Sequence, residues 1–175
     1  TIKMRGGRIF YEVKKENTIL VRESKLGFLL RGESELGVNL NLVRTQKKTC
    51  NEVFETIVGE QKEVRNNYNE MAVYVAEESE KKRLFSLRFR VFNDGVAFRY
   101  EVPPQPSFQR IIIEDELTEF NVDLNGQAWR IPAYQATKYD LNYERWPVYE
   151  LRDAVHTPLT IETNTNKYLA IHEAA

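Results

Sequence analysis

Leu84-Phe85-Ser86-Leu87-Arg88-Phe89-Arg90-Val91-Phe92-Asn93-Asp94-Gly95-Val96-Ala97-Phe98-Arg99-Tyr100-Glu101-Val102 holds two alternating runs on either side of one turn signal. In an extended chain Leu87, Phe89 and Val91 share one face while Arg88 and Arg90 take the other. Asn93-Asp94-Gly95 supplies residues that tolerate positive φ, so the chain is expected to reverse there. On the return, Val96, Phe98, Tyr100 and Val102 fall on one face, with Arg99 and Glu101 opposite. The pattern predicts an antiparallel hairpin with a buried apolar face. Pro103-Pro104-Gln105-Pro106 ends it, because proline cannot donate to a ladder.

Working outward, the same period recurs at short intervals. Strands are predicted over Arg8–Lys14, Thr18–Arg22, Leu26–Arg31, Val38–Thr45 and Tyr68–Val75. Further strands are expected over Arg110–Ile113, Glu116–Phe120, Thr160–Glu162 and Lys167–His172. The charge run Glu77–Arg83 reads as a solvated hairpin tip. Ala133–His156 breaks the pattern and reads as an aromatic-rich, polar connection. No segment keeps an apolar helical period over three turns. A dozen or so short strands with turn signals between them predict an all-β fold, a large antiparallel β-sandwich.

The 175 residues suit one domain, 1–175, and 42% hydrophobic residues are enough for a core. Net charge is −1, which gives no field for steering toward nucleic acid or anionic lipid. No apolar run approaches the roughly 20 residues of a spanning helix. Neither nucleic acid nor membrane is therefore expected as a partner. Tyr168-Leu169-Ala170-Ile171-His172-Glu173-Ala174-Ala175 closes the sequence inside an apolar, strand-like run, so the chain is expected to continue beyond it.

Candidate chemistry is sparse. Nucleophilic catalysis needs a Ser, Cys or Thr with a base in reach, and only His156 and His172 are present as imidazoles. No nucleophile elbow and no zinc spacing occurs, and Cys50 in its polar setting reads as an inert thiol. No catalytic residue is assigned. Arg88-Phe89-Arg90 and Phe98-Arg99-Tyr100 have the composition of a nucleic-acid sheet. Alternation, however, sends the aromatic rings inward and the arginines into ion pairs or solvent. Asn66, Asn67 and Asn69 between Glu63 and Glu70 fit turns as well as a site. Glu173, read on its own, is a surface group at a strand end.

Ser24-Lys25-Leu26-Gly27, Glu60 through Glu70, Arg88 through Tyr100, Glu116-Leu117-Thr118-Glu119-Phe120, Thr157-Pro158-Leu159 and Ile171-His172-Glu173-Ala174-Ala175 occur in one order along the chain. That ordered set resembles the N-terminal domain of glycoside hydrolase family 97, a family of α-glucosidases and α-galactosidases. The resemblance implies a β-supersandwich similar to galactose mutarotase, packed on a catalytic (β/α)8 barrel that holds the catalytic carboxylates, with a small C-terminal β domain following. It implies a Ca2+ cofactor with Glu173 as one metal ligand, and calcium's taste for 6–8 hard oxygen ligands allows them to come from separate domains. It also implies an oligosaccharide substrate and a periplasmic or secreted location. Tyr139, Tyr143 and Trp146 are candidates to wall a sugar site. The fragment alone is expected to be inactive. The His-Glu-Ala-Ala ending is closer to the inverting α-glucosidase branch. A retaining α-galactosidase, a non-catalytic carbohydrate-binding or scaffold module and a mutarotase-like enzyme are the alternatives.

Overall fold

The computed structural model describes residues 1–106, 110–135 and 141–173. Among them thirteen strands and one 3-10 turn, Val148–Glu150, account for the regular structure. Every pairing with a defined register is antiparallel, so the all-β class is borne out. The chain divides into two compact units. One holds Ile2–Tyr11 and Lys25–Glu119; the other holds Thr1, Glu12–Ser24 and Phe120–Ala175. Strands β1 (Ile2–Arg5), β2 (Arg8–Lys15) and β3 (Thr18–Lys25) form a sheet in that order.

The larger unit is built on a four-stranded sheet of β5 (Leu40–Glu55), β6 (Glu63–Glu77), β7 (Leu84–Val91) and β8 (Val96–Glu101), in chain order. The unit also holds a separate short pair, β4 (Phe28–Leu30) and β9 (Ile113–Glu116). The β7–β8 hairpin forms with Leu87 opposite Tyr100 and Phe89 opposite Phe98, but Val91 and Val96 at its turn end, expected on the buried face, are exposed. Leu87 and Phe89 are buried together with Val73, Val75, Phe85, Phe28 and Leu30. Phe98 sits 5.2 Å from Tyr11 and 5.5 Å from Phe89, and Phe28 lies 4.2 Å from Tyr100, ring centre to ring centre. These tilted ring pairs make the core of the unit.

Several details differ from the expectations. None of Asn93, Asp94 and Gly95 takes positive φ; the Phe92 N–H donates to the Gly95 carbonyl in a four-residue loop instead. Strand β5 runs ten residues past Thr45, to Glu55, and β6 starts at Glu63 rather than Tyr68. The asparagines near Arg65 are strand residues, and Asn66 Nδ2 donates to Glu52 Oε1 across the ladder at 2.8 Å. With both faces of this ribbon largely in solvent, no alternation marked it. The charge run Glu77–Arg83 is solvated only in its middle: Glu77 is 4% exposed and Arg83 is 0% exposed, and the two form an ion pair. Glu116–Phe120 is not a strand; β9 ends at Glu116.

The smaller unit carries a sheet ordered β11 (Glu144–Pro147), β10 (Gln127–Arg130), β12 (Leu159–Glu162) and β13 (Tyr168–Ile171). Ala128 and Ile161 face each other in its buried layer. The sequence pattern does not signal β10 or β11, and β11 lies inside Ala133–His156, where a polar connection is expected. Four residues are too few for a period to register against the polar residues around them.

Candidate functional site

Register fixes which end of the small sheet each candidate occupies. Ile171 faces Leu159 on β12, Thr160 faces Trp129, and Arg130 faces Glu144. The chain therefore leaves β13 at the same end where β10 finishes and β11 begins. Glu173 stands two residues past β13, exposed, and Tyr143 stands one residue before β11, 54% exposed. Strands β11 and β13 are opposite edges of the sheet, so the strands that lead to these two residues are three spacings apart, about 14 Å. His156 joins that end, because its N–H donates to the Ile131 carbonyl at 2.9 Å and Pro132 bridges Val155. Its ring, like that of His172, is exposed. The sheet end thus offers a carboxylate, two imidazoles and a phenol to whatever approaches it. Among the described residues no three metal-ligating side chains cluster, so Glu173 is one open donor and not a complete cage.

The aromatic candidates separate. Tyr139 lies outside the described residues. Trp146 faces Ala128, and the Arg130 guanidinium covers its ring at 4.2 Å while donating to Glu144 Oε2 at 3.0 and 3.2 Å. Its Nε1 is buried without an acceptor among the described residues. A ring already capped by a cation has less face to offer a sugar. Trp129, which the sequence did not single out, is more open: it is 39% exposed on the other face, with Arg145 6.0 Å from its ring.

Arg88, Arg90 and Arg99 of the larger unit are ion-paired. Glu101 accepts from Arg88 Nε and Nη2 at 2.8 and 2.9 Å and from Arg99 at 2.6 and 2.9 Å. Glu70, 7% exposed, accepts from Arg88 Nη1 at 2.6 Å and Arg90 Nε at 2.9 Å. Paired guanidinium groups hold the Glu101 carboxyl down at about 2, Arg88 first and then Arg99. Arg90 and then Arg88 lower Glu70 as well. The ion-paired reading of Arg88, Arg90 and Arg99 is the one the geometry bears out. Tyr100, whose hydroxyl accepts from the Gly27 N–H at 3.0 Å, is pushed up to about 12 by burial.

The comparisons agree with this architecture. The Glycosyl-hydrolase 97 N-terminal family model matches residues 1–175. A glycoside hydrolase family 97 enzyme from a Pseudoalteromonas species, solved with panose, superposes with a TM-score of 0.93 at 31% identity. The likeness covers 100% of this chain and 27% of that one. The same enzyme with acarbose gives a TM-score of 0.92 at 31% identity over the same shares. A retaining alpha-galactosidase of Bacteroides thetaiotaomicron is 25% identical over 95 residues, 54% of this chain and 13% of its own length. This chain thus spans about a quarter of the solved relatives and less of the curated one. The whole-chain match, together with the sandwich fold shared at that TM-score, makes this chain a member of the glycosyl-hydrolase 97 N-terminal family.

Proposed function

We propose that the chain is the N-terminal domain of an exo-acting α-glycosidase that hydrolyses α-linked oligosaccharides, an α-glucosidase in the favoured reading. The observation that carries this is the end-to-end likeness to an enzyme solved with panose and with acarbose. In this reading the domain packs on a catalytic barrel elsewhere in the same polypeptide and contributes Glu173 toward a calcium ion. The donor chemistry fits. Glu173 is an exposed carboxylate at the tip of a sheet, able to reach a site formed by other parts of the protein. Calcium takes 6–8 oxygens, so one carboxylate from this domain leaves the rest to the barrel. When bound, the ion would supply positive charge near the sugar. What this chain contributes is position, since pairing of β12 with β13 directs the strand end that bears Glu173.

The test is the intact enzyme assayed on aryl α-glucosides and α-galactosides, with and without a calcium chelator. Hydrolysis of the glucoside that falls on chelation, with weaker calcium binding and lower turnover in Glu173→Gln, is the expected result. Unchanged metal dependence in that variant removes Glu173 from the site. A retaining α-galactosidase is the second reading, favoured by the match to the Bacteroides enzyme, and preference for the galactoside would select it.

A further inference from the structure

The β5–β6 hairpin outruns its sheet. Strand β7 supports β6 only from Asn69 to Ala76. Beyond that, six cross-strand pairs, Cys50 with Tyr68 through Glu55 with Glu63, continue as a two-stranded ribbon. At about 3.4 Å per residue it projects roughly 20 Å before the turn begins. Such a ribbon is marginal in water on its own. This one carries its apolar side chains outward: Val53 is 61% exposed, Phe54 47%, Ile57 102% and Val58 89%. The turn is closed by the Thr56 N–H on the Lys62 carbonyl at 2.8 Å and by the Thr56 hydroxyl on Gln61 O, so its backbone is held while Ile57 and Val58 at its tip stand almost fully exposed among the described residues. Exposed apolar groups gathered at one end of an element mark a contact surface.

We infer that this tip, Val53, Phe54, Ile57 and Val58, docks in an apolar concavity on the part of the same polypeptide outside Thr1–Ala175. The inference rests on the reading that the chain is one domain of a longer enzyme. Two observations select that occupant over a second copy. The solved relatives are nearly four times as long as this chain, so most of such a protein lies elsewhere. A ribbon two strands wide also presents a patch too narrow for the roughly 1,200 Å² of a stable symmetric interface.

Hydrogen exchange of the full-length protein tests it. No hairpin bond holds the amides of Ile57 and Val58 among the described residues, so an undocked tip exchanges them at near the unstructured rate. Docking is expected to slow them at least 100-fold, independent of protein concentration. The double variant Ile57→Asp, Val58→Asp should release them while β6 and β7 stay protected. Unstructured-rate exchange in the full-length protein overturns the inference. Protection that falls on dilution also overturns it, by assigning the tip to a second copy. Absence of glycosidase activity would count against the domain reading alone and leaves the exchange result standing.

Discussion

The guanidinium of Arg83 is wholly buried and grips Glu77 with two parallel bonds, Nε to Oε2 and Nη2 to Oε1. The same group donates to the Ser34 carbonyl and hydroxyl and to the Glu35 carbonyl, tying the β6–β7 turn to the segment before β5. Replacing Arg83 with Met strands a carboxylate that is 4% exposed. Loss of one partner of a buried pair costs about 3–5 kcal/mol. Urea denaturation at neutral pH should show a loss of that order, part of it restored when Glu77→Gln is added. A single-variant loss under about 1 kcal/mol would mean that water already reaches the pair.

This pair also shows where the sequence stops being legible. Phe89 and Phe98 declare their faces because each sits in an alternating run half in a core, so the β7–β8 hairpin could be read directly. Glu77–Arg83 reads as solvent because charges usually are solvated. That the two end residues turn inward depends on Ser34 and Glu35, more than forty positions away, and no local pattern encodes it. The β5–β6 ribbon was hidden for the opposite reason: Lys47, Lys48, Asn51 and Glu52 are exposed on both faces, which erases the period-two signal. Of the candidate site, Glu173 came from the family resemblance and not from any local pattern. Its end of the sheet, shared with Tyr143 and His156, became visible only through strand register.

Glu101 makes acid stability measurable. With Arg88 and Arg99 bound, its carboxyl titrates at about 2 in the fold, against roughly 4.3 when unfolded. A folded value below the unfolded one stabilises the protein above the unfolded pKa, and that contribution is lost as pH falls through the folded value. Stability should therefore decline between about pH 4.3 and 2. A depression of that size corresponds to about 3 kcal/mol, and partial exposure reduces the expected share to about 1–2 kcal/mol. Glu101→Gln should flatten this limb in thermal melts across pH, and an unchanged limb would assign acid sensitivity to other carboxylates.

Tyr100 makes the matching alkaline prediction. Burial raises its hydroxyl to about 12, whereas an unfolded tyrosine ionises near roughly 10. The neutral phenol is the form the fold prefers, so its contribution is complete below pH ~10 and disappears as pH rises toward the folded value. Tyr100→Phe should weaken that alkaline loss. At neutral pH it should cost about 1–3 kcal/mol, since the Gly27 N–H loses its acceptor and the Thr118 hydroxyl, which still bonds Glu116, loses one of two partners. Equal melting curves for the two proteins from pH 9 to 12 would contradict the assignment.

Gly126 locks the start of β10 to the end of β12. A Cβ there would stand 2.6 Å from the Glu162 carbonyl oxygen and 3.2 Å from that of Asp123. Both are backbone atoms, so relief requires the ladder itself to move. The Val148 N–H also donates to the Gly126 carbonyl at 3.1 Å, which ties the 3-10 turn after β11 to the same point. Gly126→Ala is therefore expected to cost about 1–3 kcal/mol, the range of an overpacked site. It should also loosen the sheet whose far strand ends beside Glu173. Gly95→Ala is the control, because a Cβ at Gly95 meets nothing within 4 Å. That variant should stay within about 0.5 kcal/mol of the parent. Thermal melts of both, with amide exchange read at Ala128 and Ile161, separate local strain from global loss. If Gly126→Ala melts with the parent, the turn after Asp123 yields more easily than the packing implies.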